Sequence, residues 1–376
     1  MKSGNKWWKV IAAVLILTAT GTAGFFSGRM EAEKKHAAER ELNILLNRSE
    51  WDGMKPIEGP VYVTGHKAPD TDTVASAIAC ADILNQLGYD ARPVVLGPVN
   101  KETEYVLEQA GLQTPELLTD ASGLNMVLVD HSDYAQSADG LEDAVILSII
   151  DHHGDGTVTS GSQMIFDGRP LGSAATILWI KYRNYGLEID QKTAAVMLGA
   201  VLSDTINLLP GAFTPADAEA VKELSRISGI TDTDAFFQEM FRRKTSHEGM
   251  TDEEIFMADY KQYEAGSTTY GIGVIDVSTE AEAKEMADRM AAFIPQELAA
   301  SGVDMLFAQI SAMGEVRRAT YIVCSDPAAA EVIQTAYVDT GRGTFDGTSY
   351  VIRPSISRKK DLVPNIEQVL EMHPKE

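Results

Sequence analysis

Short, continuous apolar runs alternate with helical segments through the first half of this chain. The runs are Val61–Thr64, Ala91–Leu96, Met126–Val129 and Val145–Ile150. The segments between the first runs, Val74–Leu87 and Lys101–Ala110, have the composition and spacing of helices. Strands that are apolar on both faces and joined by helices form parallel sheets covered on both sides. The sequence therefore predicts an α/β fold whose N-terminal domain has a mainly parallel sheet flanked by helices.

A second, smaller α/β unit is predicted beyond a polar stretch. The chain has 376 residues, which is more than one hydrophobic core usually fills. After three further helical segments the polar stretch Arg242–Asp252 reads as a linker. It is followed by a strand at Thr269–Val277, a long helix at Thr279–Ala300 and further strands. We therefore predict one domain over residues 57–241, a linker over 242–252 and a second domain over 253–376.

The N-terminus has the pattern of an export signal. Lys2, Lys6 and Lys9 precede an uncharged apolar run from Val10 to Phe26, which is the order of a signal peptide. The run is also just long enough for a membrane span, so residues 1–28 are either a cleaved signal or an uncleaved anchor. The basic flank stays in the cytoplasm, and the sequence predicts a membrane-anchored extracytoplasmic or secreted protein. Residues 29–56, charged and helix-prone, are predicted to form a stalk.

Net charge limits the partners. There are 32 Lys and Arg residues against 55 Asp and Glu residues, a formal charge of −23. Such a surface repels phosphate backbones, so we expect no nucleic-acid partner. A small anionic substrate would need metal ions or a local basic cluster. The two cysteines, Cys80 and Cys324, predict neither a disulfide framework nor a thiolate zinc site.

Aspartate and histidine residues gather where the predicted strands end. They are His66, Asp70 and Asp72 after the first run, Asp130 and His131 after the third, and Asp151, His152 and His153 after the fourth. The loops at the carboxyl ends of strands build the site in open α/β sheets. Asp204 lies inside an apolar helical segment, where a carboxylate is costly to bury unless it is paired or binds a cation.

Each of these residues alone has an ordinary structural explanation. Asp70 or Asp72 would serve as a helix N-cap, and Asp204 would pair with a basic residue. Their coincidence favours metal binding. Mixed His and carboxylate ligands suit Mn²⁺, Co²⁺, Fe²⁺ or Zn²⁺, and there are too many for one ion. The residues predict a two-metal site for hydrolysis of a phosphoester or phosphoanhydride.

The order of these motifs resembles the DHH phosphoesterase superfamily, and within it the family II (manganese-dependent) inorganic pyrophosphatases. The motifs are His66-x-x-Pro69-Asp70-x-Asp72, Asp130-His131, Asp151-His152-His153, Ser203-Asp204 and, near the C-terminus, Ser357-Arg358-Lys359-Lys360. The resemblance extends from about Val61 to Leu370. It implies an N-terminal DHH domain, a flexible linker and a C-terminal DHHA2 domain that closes over the substrate.

The resemblance also implies roles for individual residues. His66 and Asp70 correspond to ligands of the first metal; Asp72, His152 and Asp204 to ligands of the second; and Asp130 to the bridging carboxylate. His153 corresponds to the catalytic histidine that binds the leaving phosphate or supplies its proton, and His131 to a residue that supports the metal site without binding metal. Arg358 and Lys359 correspond to a phosphate-binding pair, although a solvated basic run is the plainer alternative.

The chain departs from the family pattern in three places. Arg242 stands where the family usually has a substrate-binding lysine, and Lys244 follows two residues on. Ser132 stands where the family more often has asparagine. An export segment is unusual among these typically cytoplasmic enzymes.

The predicted reaction is hydrolysis of inorganic pyrophosphate to two phosphates. The cofactors implied are two ions of Mn²⁺ or Co²⁺ per site, with Mg²⁺ arriving with the substrate. Three alternatives remain open: a DHH-type exopolyphosphatase or nucleotide phosphodiesterase, a non-catalytic phosphate-binding surface protein, and a zinc hydrolase unrelated to phosphate. A homodimer through an edge strand of the N-terminal sheet would fit the resemblance.

Overall fold

The computed structural model describes residues 30, 33–54, 57–154, 156–312 and 319–372. Contacts divide the chain into two compact units, the first containing residues up to Val99 with Ala110–Gly229, the second Asn100–Gln109 with Ile230–Glu376. The predicted signal or anchor, residues 1–28, lies outside the described residues. Among the helices of the described residues, none combines the length and the apolar character that a bilayer crossing requires.

The first unit is built on a six-stranded sheet in the order β3-β2-β1-β4-β5-β6. The strands are β1 (Val61–Thr64), β2 (Ala91–Val95), β3 (Glu116–Leu117), β4 (Asn125–Val129), β5 (Val145–Asp151) and β6 (Ile165–Gly168). All neighbouring pairs are parallel, which confirms the predicted fold class. The two edge strands were not predicted, because β3 is exposed and β6 alternates half-buried with exposed residues. Neither strand is the apolar run that marks a central strand.

Helices flank this sheet. They are α1 (residues 33–52), α2 (Thr71–Gln86), α4 (Ala174–Tyr185), α5 (Gln191–Asp204) and α6 (Pro215–Ser228). Helix α2 begins three residues earlier than predicted because Asp70 caps it, its carboxylate accepting from the Thr73 N–H at 3.0 Å. Asp72 therefore lies in the first turn of a helix and not in a loop, which fixes its position.

The last turns of α1 pack onto the first unit. Trp51 is only 3% exposed, and its ring lies 5.7 Å from that of Tyr89. The Trp51 indole donates to the Tyr185 hydroxyl at 3.2 Å, and Arg48 donates to the Tyr185 carbonyl at 2.7 Å. Buried Lys181 forms an ion pair with Glu50 at 3.4 Å. The last turns of the segment predicted as a stalk, residues 29–56, therefore contact the folded body.

The second unit has its own six-stranded sheet, in the order β11-β12-β10-β9-β8-β7. The strands are β7 (Tyr260–Ala265), β8 (Thr268–Val277), β9 (Met305–Ala312), β10 (Thr320–Cys324), β11 (Gly343–Phe345) and β12 (Tyr350–Ile352). Only β8 and β9 pair in parallel; the other pairs are antiparallel. The helices are α3 (Lys101–Ala110), α7 (Thr233–Lys244), α8 (Asp252–Met257), α9 (Glu280–Ser301), α10 (Pro327–Ile333) and α11 (Val363–Met372).

The predicted linker begins too early. Arg242 and Lys244 form the last turn of α7, and Asp252 opens α8, whose N-cap is Thr251. Polar composition suggested a connection here, but Phe236, Phe237 and Met240 give α7 a buried apolar face. The same turn is tied to α3, since Lys244 forms an ion pair with buried Glu102 at 3.0 Å.

Candidate active site

Neighbouring strands bring the predicted ligands together. Strands β1, β4 and β5 lie side by side, and all run in the same direction. His66 follows β1, Asp130 directly follows β4, and Asp151 is the last residue of β5. Their side chains therefore meet at one edge of the sheet, as expected for a parallel α/β fold.

Two groups made up of the predicted metal ligands share one carboxylate, and a third possible group consists of Asp130, His152 and His153. The first contains His66, Asp70 and Asp130, and the second contains Asp72, Asp130, His152 and Asp204; within each group the ligand atoms lie within 4.8 Å of one another. His66 Nε2 lies 3.6 Å from Asp70 Oδ2 and 3.5 Å from Asp130 Oδ2. His152 Nε2 lies 3.1 Å from Asp130 Oδ1 and 3.4 Å from Asp204 Oδ2. Asp130 thus presents one oxygen to each group.

Asp130 is held by its backbone and by a hydroxyl. Its N–H donates to the Ile150 carbonyl at 2.9 Å, and its Oδ2 accepts from Thr73 Oγ1 at 2.7 Å. Its φ is +60°, in the left-handed region that non-glycine residues seldom occupy. Such strain costs of order 1–3 kcal/mol and is characteristic of functional positions. The surrounding structure therefore directs this carboxylate into the site.

Asp72 is bound by the N-terminus of helix α4. Its two oxygens accept from the N–H groups of Ala174 at 2.6 Å and Ala175 at 3.0 Å, and from the hydroxyls of Ser173 at 2.8 Å and Ser76 at 3.1 Å. Unpaired amides and the helix dipole stabilise a negative charge there. This fully buried carboxylate is therefore oriented before any cation binds.

Protein contacts also fix the two adjacent histidines. His152 Nδ1 lies 3.1 Å from the Leu171 carbonyl. A carbonyl only accepts, so Nδ1 donates and Nε2 faces the carboxylates. His153 Nδ1 lies 3.0 Å from Asp151 Oδ1, and the His153 ring is 59% exposed. His152 is thus arranged as a ligand, whereas His153 is open to a substrate.

The pKa values of the carboxylates and imidazoles in this site are shifted because these groups are partly or fully buried and lie close together. Burial lowers the pKa of both His66 and His152, but the nearby carboxylates, Asp130 for both with Asp70 or Asp72, together outweigh it, so the pKa rises to about 10 for His66 and about 9 for His152. Burial and repulsion from the neighbouring carboxylates raise the pKa of Asp204 far above its usual range. Burial also raises the pKa of Asp72. Perturbed groups of this kind cluster at functional sites.

Two orphaned atoms show that a divalent metal fits the site. Asp130 Oδ1 and His152 Nε2 are buried, and neither has a hydrogen-bond partner among the residues that the structure describes. They lie 3.1 Å apart without hydrogen-bond geometry. Buried polar atoms are seldom left unsatisfied. A cation would satisfy both, and the mixed nitrogen and oxygen donor set suits Mn²⁺.

His131 is separate from both ligand groups. Its Nδ1 lies 2.9 Å from the Val129 carbonyl and its Nε2 3.0 Å from Ser137 Oγ. Burial is the main cause that lowers the pKa of His131. Protein atoms contact both ring nitrogens, and the supporting role of His131 stays a prediction.

Sequence reasoning missed Thr73 and Ser173, and it named Asp151 without giving it a role. Thr73 and Ser173 contact Asp130 and Asp72, and Asp151 contacts His153 and the Ser132 hydroxyl at 2.8 Å. In the sequence, only their position near the motifs pointed to these residues, because such contacts join segments up to about a hundred residues apart. Their roles follow from the fold.

The predicted phosphate-binding cations lie in the second unit. Arg358 is 12% exposed, and its guanidinium donates to the Asp259 carbonyl at 2.6 Å and carboxylate at 2.8 Å. Lys359, next to it in the turn Arg358–Leu362, is exposed. Arg242 forms a two-point ion pair with Glu239 at 2.7 Å. Their roles toward substrate remain predictions.

Comparison with known proteins identifies the two domains. Residues 60–201 match the DHH family, N-terminal domain, and residues 238–369 match the DHHA2 domain. Helix α1 precedes the first of these matches.

Relatives match along nearly their whole length. A manganese-dependent inorganic pyrophosphatase of Methanothrix thermoacetophila is 33% identical over 313 residues, covering 83% of this chain and 98% of the relative. The enzyme of the same name from Bacillus subtilis is 31% identical, covering 81% and 96%. The crystal structure of a putative family II inorganic pyrophosphatase from Methanococcus jannaschii has a TM-score of 0.54 at 31% identity, covering 83% and 99%. The chain belongs to the manganese-dependent, family II inorganic pyrophosphatases, with a DHH domain followed by a DHHA2 domain.

Proposed function

We propose that this protein hydrolyses inorganic pyrophosphate to two phosphates with bound divalent metal ions. The observation that carries the proposal is the pair of ligand groups that share Asp130 at the ends of neighbouring strands. The relatives named as manganese-dependent pyrophosphatases support the same reaction.

We propose that the two groups hold two ions. His66 and Asp70 would hold the first, Asp72, His152 and Asp204 the second, and Asp130 both. Mn²⁺ or Co²⁺ suits these ligands, and we propose that Mg²⁺ accompanies the substrate. When bound, such ions neutralise phosphate charge and lower the pKa of a coordinated water.

The chain itself supplies orientation and proton transfer. Asp151 accepts from His153 Nδ1, and the ring is 59% exposed, so we propose that Nε2 is the nitrogen that meets the substrate. A histidine oriented by a buried carboxylate is suited to donate a proton to a leaving oxygen. We therefore propose His153 as the general acid for the departing phosphate.

Cations of the second unit are proposed to bind the phosphate oxygens. Arg358 is preorganised by Asp259, and the exposed Lys359 supplies a mobile charge. Arg242 is already paired with Glu239, so it would bind substrate only by sharing or leaving that partner. Lys244 is paired with Glu102, so it too would bind substrate only by sharing or leaving its partner.

A substrate panel tests the proposal. The full-length chain, in mild detergent with Mn²⁺, should release phosphate fastest from pyrophosphate among pyrophosphate, tripolyphosphate and a cyclic dinucleotide. The Asp130→Asn variant, purified identically, controls for contaminating phosphatases. Turnover of tripolyphosphate or the dinucleotide without turnover of pyrophosphate would replace the proposal with an exopolyphosphatase or phosphodiesterase. Phosphate binding without turnover of any substrate would indicate a binding protein.

We further propose that residues 1–28 export the chain, which is then membrane-anchored or secreted. The basic and apolar pattern of the sequence supports this. Fractionation of cells and N-terminal sequencing of the mature protein provide the test. A membrane-bound chain with Met1 indicates an anchor, a shortened chain outside the cell indicates cleavage, and an intact chain in the cytosol contradicts the proposal.

A homodimer is proposed through the edge strand β6. An edge strand offers unpaired backbone groups to a second copy, and Phe166 on this strand is 54% exposed. Light scattering of the purified chain should give the dimer mass, and Phe166→Asp should shift it toward the monomer. A monomer at all concentrations would refute the assembly.

A further inference from the structure

Asp217 is a fully buried carboxylate behind the metal ligands. It lies in the first turn of α6, and its Oδ2 accepts from the Thr214 N–H at 2.6 Å and the Thr214 hydroxyl at 2.7 Å. These bonds form a capping box. The same carboxylate also accepts from the Gly172 N–H, at 3.0 Å to Oδ2 and 3.2 Å to Oδ1.

A helix cap alone does not require this arrangement. Helix α8 has the same capping box, in which Glu254 accepts from the Thr251 N–H at 2.8 Å and hydroxyl at 2.9 Å. Glu254 is exposed, as is usual for a charged cap. Asp217 differs in being buried and in binding an amide 45 residues away in the chain.

The amide that Asp217 binds lies between two supports of the metal site. On one side of Gly172, the Leu171 carbonyl orients His152 at 3.1 Å. On the other side, Ser173 and the N–H groups that follow it hold Asp72. A displacement of Gly172 would therefore move the supports of both ligands together.

Asp204, a third proposed ligand, is next in the chain to a residue that packs against Gly172. A Cβ atom at Gly172 would lie 2.6 Å from Thr205 Cγ2 and 2.8 Å from Asp217 Oδ2, both too close to tolerate. Thr205 is fully buried and directly follows Asp204. Gly172 is thus packed tightly between Asp217 and the residue after a ligand.

We propose that Asp217 is a positioning residue for the metal site, acting through Gly172 on His152, Asp72 and Asp204. The inference deepens the metal site on which the proposed function rests. Residues that orient metal ligands typically change metal affinity or activity by about 10- to 100-fold.

The test is Mn²⁺ affinity without substrate, measured on the full-length chain by the electron paramagnetic resonance signal of free Mn²⁺. Asp217→Asn keeps the size of the side chain but replaces one carboxylate oxygen with an NH₂ group. That group would face the N–H and hydroxyl groups that now donate to Asp217. We expect about 10- to 100-fold weaker binding, and pyrophosphate hydrolysis at limiting Mn²⁺ that excess Mn²⁺ restores. Glu254→Gln, the matched change in the other capping box, should bind Mn²⁺ like the wild type.

A second variant covers the case in which Asp217→Asn does not fold. Gly172→Ala forces Thr205 and Asp217 apart and should also weaken Mn²⁺ binding, and the two changes together should be less than additive because they disturb one contact. Wild-type Mn²⁺ affinity in a folded Asp217→Asn or Gly172→Ala chain overturns the proposal and leaves Asp217 as a cap. A chain that binds Mn²⁺ as described but does not hydrolyse pyrophosphate refutes the proposed function alone.

Discussion

The packing of Trp51 predicts that helix α1 is part of the stable body. Its side chain is 3% exposed and contacts Tyr89 and Tyr185. Replacing a buried Trp with Ala typically costs about 3–5 kcal/mol of unfolding free energy. For a domain of this size each kcal/mol lowers the melting temperature by about 2–4 °C, so Trp51→Ala should melt about 6–20 °C lower.

Differential scanning calorimetry of the full-length chain gives the measurement. Leu45→Ala is the matched control, because Leu45 is on the same helix but 62% exposed, and such surface changes stay within about 0.5 kcal/mol. Equal melting temperatures for the two variants would refute the reasoning. Helix α1 would then be the separate stalk that the sequence suggested, and a chain beginning at Ile57 would be as stable as the full one.

The proposed metal ligands and the proposed phosphate-binding cations give three further predictions. Asp130→Asn should lower Mn²⁺-dependent pyrophosphate turnover by about 10³-fold or more with an unchanged circular dichroism spectrum; wild-type turnover with metal bound would contradict the shared-ligand role. In the metal-free protein the pKa is about 10 for His66 and about 9 for His152, so both imidazoles are protonated near pH 7. Because a metal must displace these protons, Mn²⁺ affinity should rise with pH up to about 10, the higher of the two pKa values. Calorimetry in buffers of different ionisation enthalpy would count the protons released, and a pH-independent affinity would disprove the assignment. Lys359→Ala should lower kcat/KM for pyrophosphate by about 10- to 100-fold, the loss of one charge-assisted hydrogen bond, whereas its exposed neighbour Lys360→Ala should change it less than twofold; equal effects would indicate only a diffuse basic surface.

Local patterns were enough to predict most of the first unit. Strands β1, β4 and β5 are largely apolar and mostly buried, as expected for a sheet covered on both faces, and β2 shows the same pattern except at exposed Arg92 and half-buried Pro93. The direction of those strands, once inferred, already places Asp130 and the Asp151-His152-His153 motif on one edge. The apolar pattern of the strands and the parallel topology of the sheet together predicted that the ligands lie close to one another.

Other features depend on contacts between distant segments. Nothing near Asp217 in the chain distinguishes it from an ordinary capping residue, since its partner Gly172 is 45 residues away. Similarly, α1 looked like a polar stalk because Trp51 is its one strongly buried hydrophobic residue. Strands β3 and β6 pair at the edges mainly through their backbones, which leave no hydrophobic pattern.

The left-handed backbone conformation of Asp130 lowers the stability of the fold at a residue whose carboxylate the proposed reaction needs. Glycine would adopt φ +60° with no steric penalty, so Asp130→Gly removes strain from the fold while it removes the carboxylate from the site. Selection for stability alone would therefore replace this aspartate, and selection for hydrolysis alone retains it. In random mutagenesis of this chain, a screen for heat resistance without an activity screen should enrich changes at Asp130 that a screen for turnover eliminates.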